Sequence, residues 1–241
     1  MEWSDDGIII GFRRHGEGHA MIELMTREHG RHLGLVLGGG SRKQLPSLQP
    51  GNSVRASWYA RLDEHLGNYR LETVQTRSDR MMVSPCASFG LQTMAALLRL
   101  LPERDPHANL YELLEHIADH LDSDDAAALL ARFELQMLTE LGVGLDLTSC
   151  AVTGIATELV YVSPKTGRAV SREAGAAWQD RLLPLPSFLH EDGEGVSPND
   201  IAAAFALTGY FLTRYVMEPR EILLPEARAA FLAAIGRERA A

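Results

Sequence analysis

His19-Ala20-Met21-Ile22-Glu23-Leu24-Met25-Thr26-Arg27-Glu28-His29-Gly30-Arg31-His32-Leu33-Gly34-Leu35-Val36-Leu37 reads as two strands and the turn that joins them. Ala20, Ile22 and Leu24 recur every second residue, and so do Leu33, Leu35 and Leu37, the period of a half-buried strand. Arg27-Glu28-His29-Gly30 is the connection, and its glycine supplies the left-handed backbone that closes a short hairpin. The two strands therefore pair antiparallel. The same period extends over Gly7 to Arg13 (Ile8, Ile9, Ile10), Ser53 to Arg61 (Val54, Ala56, Trp58) and Asn68 to Thr76 (Tyr69, Leu71, Thr73).

Five short strands with no long helix among them predict a small closed barrel, and the OB fold is the commonest five-stranded one. From residue 85 the spacing becomes helical: about Ser88 to Leu101, about Asn109 to Leu121, and Asp124 to Leu141 with Gly142 as C-cap. Ser197-Pro198-Asn199-Asp200 opens a further helix, with serine as N-cap, proline at the first helical position and an acid in the first turn. That helix runs through Ile201, Phe205 and Phe211 to about Met217. Between these, Leu159 to Val162 reads as a strand, Ser163 to Gly167 as a turn and His190 to Gly195 as an exposed acidic loop. The fold class is thus α+β: an N-terminal OB-fold β-barrel over residues 1–80, then an α-helical domain over 81–241 that includes an irregular segment at 145–195.

The chain carries a net charge of −9, which at first sight argues against a nucleic-acid partner, because phosphate neutralisation needs lysine and arginine. The acidity is unevenly spread. Residues 1–80 hold 11 Lys+Arg against 10 Asp+Glu, and the remainder 12 against 22. Within 27–61 the bases Arg27, Arg31, Arg42, Lys43, Arg55 and Arg61 face Glu28 alone. Such a window either contacts phosphates or merely keeps one face of the barrel solvated. No stretch approaches the roughly 20 apolar residues of a membrane helix, and the start lacks the layout of a signal peptide. With only Cys86 and Cys150, far apart, no disulfide is expected, and the expected location is the cytoplasm.

Gly38-Gly39-Gly40-Ser41-Arg42-Lys43 joins two strands and has no Gly-Lys-Ser/Thr, so it fails the P-loop pattern. Its readings are a flexible basic loop at a barrel rim, able to approach a polynucleotide backbone, or a plain solvated loop. His116 and His120 have the i, i+4 spacing of paired metal ligands, but position 117 is Ile where a zincin would place glutamate. No Gly-x-Ser-x-Gly turn occurs, and no enzyme is expected. Trp58 and Tyr59 are strand neighbours and point to opposite faces, one to the core and one outward. An outward Tyr59 flanked by Arg55 and Arg61 is either a stacking platform for bases or an ordinary surface ring.

Cys150-Ala151-Val152-Thr153-Gly154 has threonine where a Cys-x-x-Cys-Gly zinc knuckle would hold its second thiolate. Ser171-Arg172-Glu173-Ala174, after the turn at Gly167, likewise lacks cysteine. The spacing over 145–176 is that of a degenerate zinc ribbon, or else Cys150 is a small buried residue in a loop. No metal and no cofactor is expected.

Taken in order, Thr26 to Gly30 with the Gly-rich basic loop, Leu45-Pro46-Ser47-Leu48-Gln49-Pro50-Gly51, and Arg132-Phe133-Glu134-Leu135-Gln136-Met137-Leu138-Thr139-Glu140-Leu141-Gly142 leading into Cys150 resemble the RecO family of DNA repair and recombination proteins. The resemblance covers nearly the whole chain. It implies a non-enzymatic recombination mediator that binds single-stranded and double-stranded DNA, anneals complementary strands and loads recombinase with a RecR-like protein. It also implies docking of the acidic C-terminal tail of single-strand-binding protein on the helical domain. The residues here depart from the family at three of its four zinc cysteines, and at Pro219-Arg220 where it has Ser-Arg. The phosphate-contact set expected is Arg27, Arg31, Arg42, Lys43, Arg55 and Arg61, with Tyr59 as a stacker. Arg132 and Arg214 are the expected partner contacts, since an acidic peptide needs local cations in an acidic domain. The alternative is a protein-interaction scaffold whose acidic helical domain binds partners and whose barrel binds no DNA.

Overall fold

The computed structural model describes residues 1–190 and 196–238 of the chain. Five strands, β1 (Glu2–His15), β2 (His19–Thr26), β3 (Gly30–Val36), β4 (Ser53–Tyr59) and β5 (Asn68–Gln75), close a barrel in the order β1-β2-β3-β5-β4. Neighbours are antiparallel except β3 and β5, which meet in parallel at Leu35 and Asn68. This is the five-stranded OB-type barrel that the alternation predicted. β1 is longer than its apolar run because Glu2 to Asp6 also pair with β4, from Glu2 opposite Tyr59 to Asp6 opposite Arg55. A bulge between Ile9 and Gly11 lets it bend from β4 towards β2.

Ile9, Ala20, Ile22, Leu24, Val36, Val54, Ala56, Trp58 and Tyr69 fill the barrel, and Leu48 enters it from the β3–β4 loop. The leucine row of the third strand faces outward instead. Ala20, Ile22 and Leu24 stand opposite Val36, Gly34 and His32, so the inner face of β3 is His32, Gly34 and Val36. The cause is Tyr69: a Cβ at Gly34 would lie 2.4 Å from its ring, so the ring occupies the space of the missing side chain. The Tyr69 hydroxyl meets His32 Nδ1 at 2.9 Å. Gly30 closes the β2–β3 hairpin at φ 65°, and a Cβ there would run into the Asp105 backbone.

Contacts divide the described chain into two compact units, residues 1–126 with the segment from 225 onward, and residues 127–224. In the first, the barrel is joined by α1 (Ser78–Val83), α2 (Pro85–Leu98), α3 (Ala108–His120) and α7 (Glu226–Glu238), with α7 packed on α2. In the second, α4 (Ala126–Glu140) is followed by β6 (Leu159–Val162), β7 (Ala169–Ser171), the single turn α5 (Arg172–Gly175) and β8 (Leu183–Pro184). The sheet order is β7-β6-β8. α6 (Pro198–Phe211) begins at a capping box: Asp200 N–H donates to Ser197 Oγ, and Ser197 N–H donates back to the Asp200 carboxylate. It continues as a wider π turn over Leu212–Met217. The Thr208 hydroxyl donates to the buried Glu134 carboxylate at 2.5 Å, tying α6 to α4. Most of the acidic loop expected at His190 to Gly195 lies outside the described residues. Among the described residues no helix is long and apolar enough to cross a membrane.

Candidate nucleic-acid interface

One end of the barrel is built by two loops that hold each other. Gly40 N–H donates to the Gly18 carbonyl at 3.0 Å, linking the β3–β4 loop to the β1–β2 turn, and Gly38 N–H donates to His19 Nδ1 at 3.1 Å. Further along, Leu45 N–H bonds back to Ser41 and Leu48 N–H to Gln44, while the Leu48 side chain plugs the barrel. Buried Asn52 secures the far end: its amide donates to the Pro46 and Ser47 carbonyls, and its oxygen accepts from the N–H groups of Arg77 and Ser78. The segment expected as a flexible loop is thus a chain of hydrogen-bonded turns that displays its polar tips and buries an apolar anchor.

The expected DNA contacts separate by their partners. Arg42, Lys43 and Arg61 are exposed and have no acidic partner among the described residues. Arg27 Nη1 instead bonds Glu112 at 2.8 Å, with its guanidinium over the Tyr111 ring. Arg55 Nε lies 3.2 Å from Asp6. Arg31 is buried: Nη1 reaches Glu23 at 2.9 Å and Glu103 at 3.3 Å, and Nη2 the Leu101 carbonyl. Its charge is spent within the fold, where Glu23 also accepts from Arg99. Tyr59 is 46% exposed while Trp58 is wholly buried, the opposite facing that strand geometry required.

Sequence reading passed over three cations. Arg13 and Arg14 end β1 beside the β1–β2 turn, and Arg70 stands on β5 opposite Ser57. All three are exposed with no acidic partner among the described residues. Two adjacent arginines before His15-Gly16 and an arginine alternating with Tyr69 and Leu71 were legible signals, but they fall outside the basic window of 27–61. Lys43, Tyr59 and Arg70 come together in a groove of about 510 Å³ at the barrel mouth. In the second unit, Arg132 donates twice to the Phe188 carbonyl, at 2.8 and 3.0 Å, and Arg214, exposed on the π turn, pairs with Glu218 at 2.9 Å.

Two family models match the chain, Recombination protein O N terminal over residues 1–77 and Recombination protein O C terminal over 87–221. The chain belongs to the RecO family. Proteins named DNA repair protein RecO are similar to it along nearly their whole length. That of Mesorhizobium japonicum is 59% identical over all of this chain and 96% of its own. That of Bradyrhizobium sp. (strain ORS 278) is 55% identical over 99% and 98%, and that of Brucella abortus (strain 2308) 54% over 98% and 97%. RecO membership places the chain in DNA repair and recombination.

The RecO resemblance implies a zinc ribbon, and here Thr153, Ser171 and Ala174 stand where three of its cysteines are expected. Cys150 is buried, and Ser171 N–H donates to its sulfur at 3.3 Å. Burial raises the Cys150 thiol, but hydrogen bonds from Ser171 and Thr153 outweigh it and bring the pKa down to about 6. One thiolate with a serine and a threonine does not fit a tetrahedral zinc, and no cluster of three or more metal-ligating side chains occurs among the described residues. His116 and His120 do not form one: His120 Nδ1 lies 2.7 Å from the His116 carbonyl oxygen, and Asp119 on the same helix accepts from Arg77.

Proposed function

We propose that this RecO-family chain is a non-enzymatic mediator of recombinational repair whose barrel binds single-stranded and double-stranded DNA. The observation that carries the reading is the set of cations without acidic partners among the described residues, Arg13 and Arg14 at the end of β1 and Arg42 and Lys43 on the β3–β4 loop that is hydrogen-bonded to the β1–β2 turn, in a chain of net charge −9. In an acidic protein, unpaired cations held at one barrel end offer a local site for phosphates, and neutralising phosphates lowers the repulsion between strands that must anneal. Family membership supports loading of recombinase with a RecR-like partner, and docking of the acidic tail of single-strand-binding protein on the helical residues. For that tail, Arg214 is the more accessible of the two arginines, since Arg132 is half-buried against Phe188.

The test is a titration of the full chain against labelled single-stranded and double-stranded oligonucleotides at two salt concentrations, read by fluorescence anisotropy. Micromolar or tighter binding that weakens with salt is the expected result. No binding at low salt overturns the reading and leaves a protein-interaction scaffold.

A further inference from the structure

The groove at the barrel mouth has a composition that points to its occupant. Its walls come from the residue after β3 (Leu37), the β3–β4 loop (Lys43, Gln44), the end of β4 (Tyr59) and β5 (Arg70, Leu71), and no carboxylate lines it. Its volume, about 510 Å³, falls in the range of roughly 300 to 1,000 Å³ typical of small-molecule sites. Leu37 and Tyr59 are 54% and 46% exposed, so an apolar wall and an aromatic ring stand open to solvent beside two cations that have no acidic partner among the described residues. Such a surface in an acidic chain suits a ligand that is flat and apolar on its faces and anionic along its edge.

A second observation weighs against the obvious rival. OB barrels commonly take oligonucleotides on the outer face of strands two and three. Here Met25, Glu23 and Arg31 on that face are buried, with Arg99, the Leu101 carbonyl and Glu103 laid over them. What remains open there is a smaller hollow of about 340 Å³ in which Arg13 stands beside the Arg99–Glu23 ion pair, and its one ring, Phe12, packs inward on the barrel core and offers no open face for a base.

We propose that the mouth groove holds an unpaired nucleobase of single-stranded DNA, stacked on Tyr59 against Leu37 and Leu71, with Lys43 and Arg70 on the flanking phosphates. A base inside a duplex is covered on both faces by its neighbours and cannot enter, so this groove distinguishes single from double strands while the loop cations bind either. It reads no sequence, because every base has a π-face. The inference rests on the DNA-binding reading above and adds the strand selectivity.

The experiment uses the full chain and a single-stranded oligonucleotide carrying 5-iododeoxyuridine. Irradiation is expected to cross-link Tyr59, identified by peptide mass spectrometry. Tyr59→Ala is expected to weaken single-strand binding by about 5- to 150-fold, leaving the salt slope and duplex affinity unchanged, while Tyr59→Phe retains wild-type affinity. Arg70→Ala is expected to flatten the single-strand slope by about 0.7. Wild-type single-strand affinity in Tyr59→Ala, equal losses on single and double strands, or cross-links confined to residues outside the groove would overturn the proposal with the DNA-binding reading intact. A wild-type chain that binds no DNA overturns both, and one that binds only an acidic peptide there makes the groove a protein-docking site.

Discussion

Arg77 and Asp119 are joined by two hydrogen bonds, 2.7 Å from Nε and 3.2 Å from Nη2, with the arginine side chain wholly removed from solvent. The same guanidinium donates from Nη1 to the Gly51 carbonyl and to Ser53 Oγ, so one cation links α3 to the barrel and to the end of the β3–β4 loop.

Removing the acid leaves that cation buried without its counter-charge, the costly way to break a buried pair. Asp119→Ala is expected to lower unfolding stability by about 3 kcal/mol, read from the urea midpoint. Arg77→Lys is expected to destabilise too, because a single ammonium cannot reproduce the planar fork. The hydrogen bond from Arg77 holds the Asp119 carboxyl below its usual range. Its stabilisation is therefore present above the unfolded-state pKa and lost as pH falls through the lower, folded value. Equal midpoints for wild type and Asp119→Ala would show the pair to be inconsequential.

Much of this architecture was legible in the sequence, and the exceptions have physical causes. Ala20, Ile22 and Leu24 marked the inner face of β2 because a barrel strand buries every second residue. The same rule misled for Leu33 and Leu35, since the inner positions of β3 are a glycine that admits Tyr69 and a histidine bonded to it. Only the three-dimensional pairing reveals that. The basic window marked a charged region but could not distinguish Arg42 from Arg31, because what neutralises Arg31 comes from Glu23 and from Glu103, 72 residues away. The return of α7 to α2 was equally hidden, for periodicity says that a helix has an apolar face and not which helix covers it.

His32 gives a pH-dependent prediction. Burial, with the Arg104 charge nearby, lowers its pKa from 6.5 to about 4. Between those values the unfolded chain takes up a proton that the folded chain refuses, so stability falls as pH drops through the window. Wild type is expected to lose on the order of 2 kcal/mol more than His32→Gln between pH 6.5 and 4, allowing for partial screening. Parallel pH profiles from urea unfolding would place His32 in ordinary solvated surroundings.

Cys150 separates hydrogen-bond stabilisation from metal stabilisation. Chelator is expected to leave Tm unchanged and elemental analysis to find no stoichiometric zinc, since Thr153, Ser171 and Ala174 cannot replace thiolates as tight ligands. Cys150→Ala leaves the buried Ser171 N–H without its acceptor and is expected to cost about 1 to 3 kcal/mol. Cys150→Ser, which keeps an acceptor, is expected to cost less. One zinc per chain would overturn this account and require ligands recruited from histidines or carboxylates.

The division between paired and unpaired cations makes the sharpest test of the proposed interface. Each cation on a phosphate of single-stranded DNA releases counterions worth roughly 0.7 in the slope of log affinity against log salt. Arg42→Ala combined with Lys43→Ala is therefore expected to flatten the slope by about 1.4 and to weaken binding alike for every sequence, because phosphates carry no sequence information. Stability is expected to stay within about 0.5 kcal/mol, since both side chains are exposed and make no ion pair among the described residues. Arg31→Ala should show the reverse. Its guanidinium answers Glu23 and Glu103 inside the fold, so its loss leaves the buried Glu23 with Arg99 alone, lowers the melting temperature and leaves the salt slope of the folded protein as it was. If the double variant bound single-stranded DNA at low salt with wild-type affinity and slope, the β3–β4 loop would not touch the phosphates. The contacts would then have to come from Arg13, Arg14, Arg61 and Arg70.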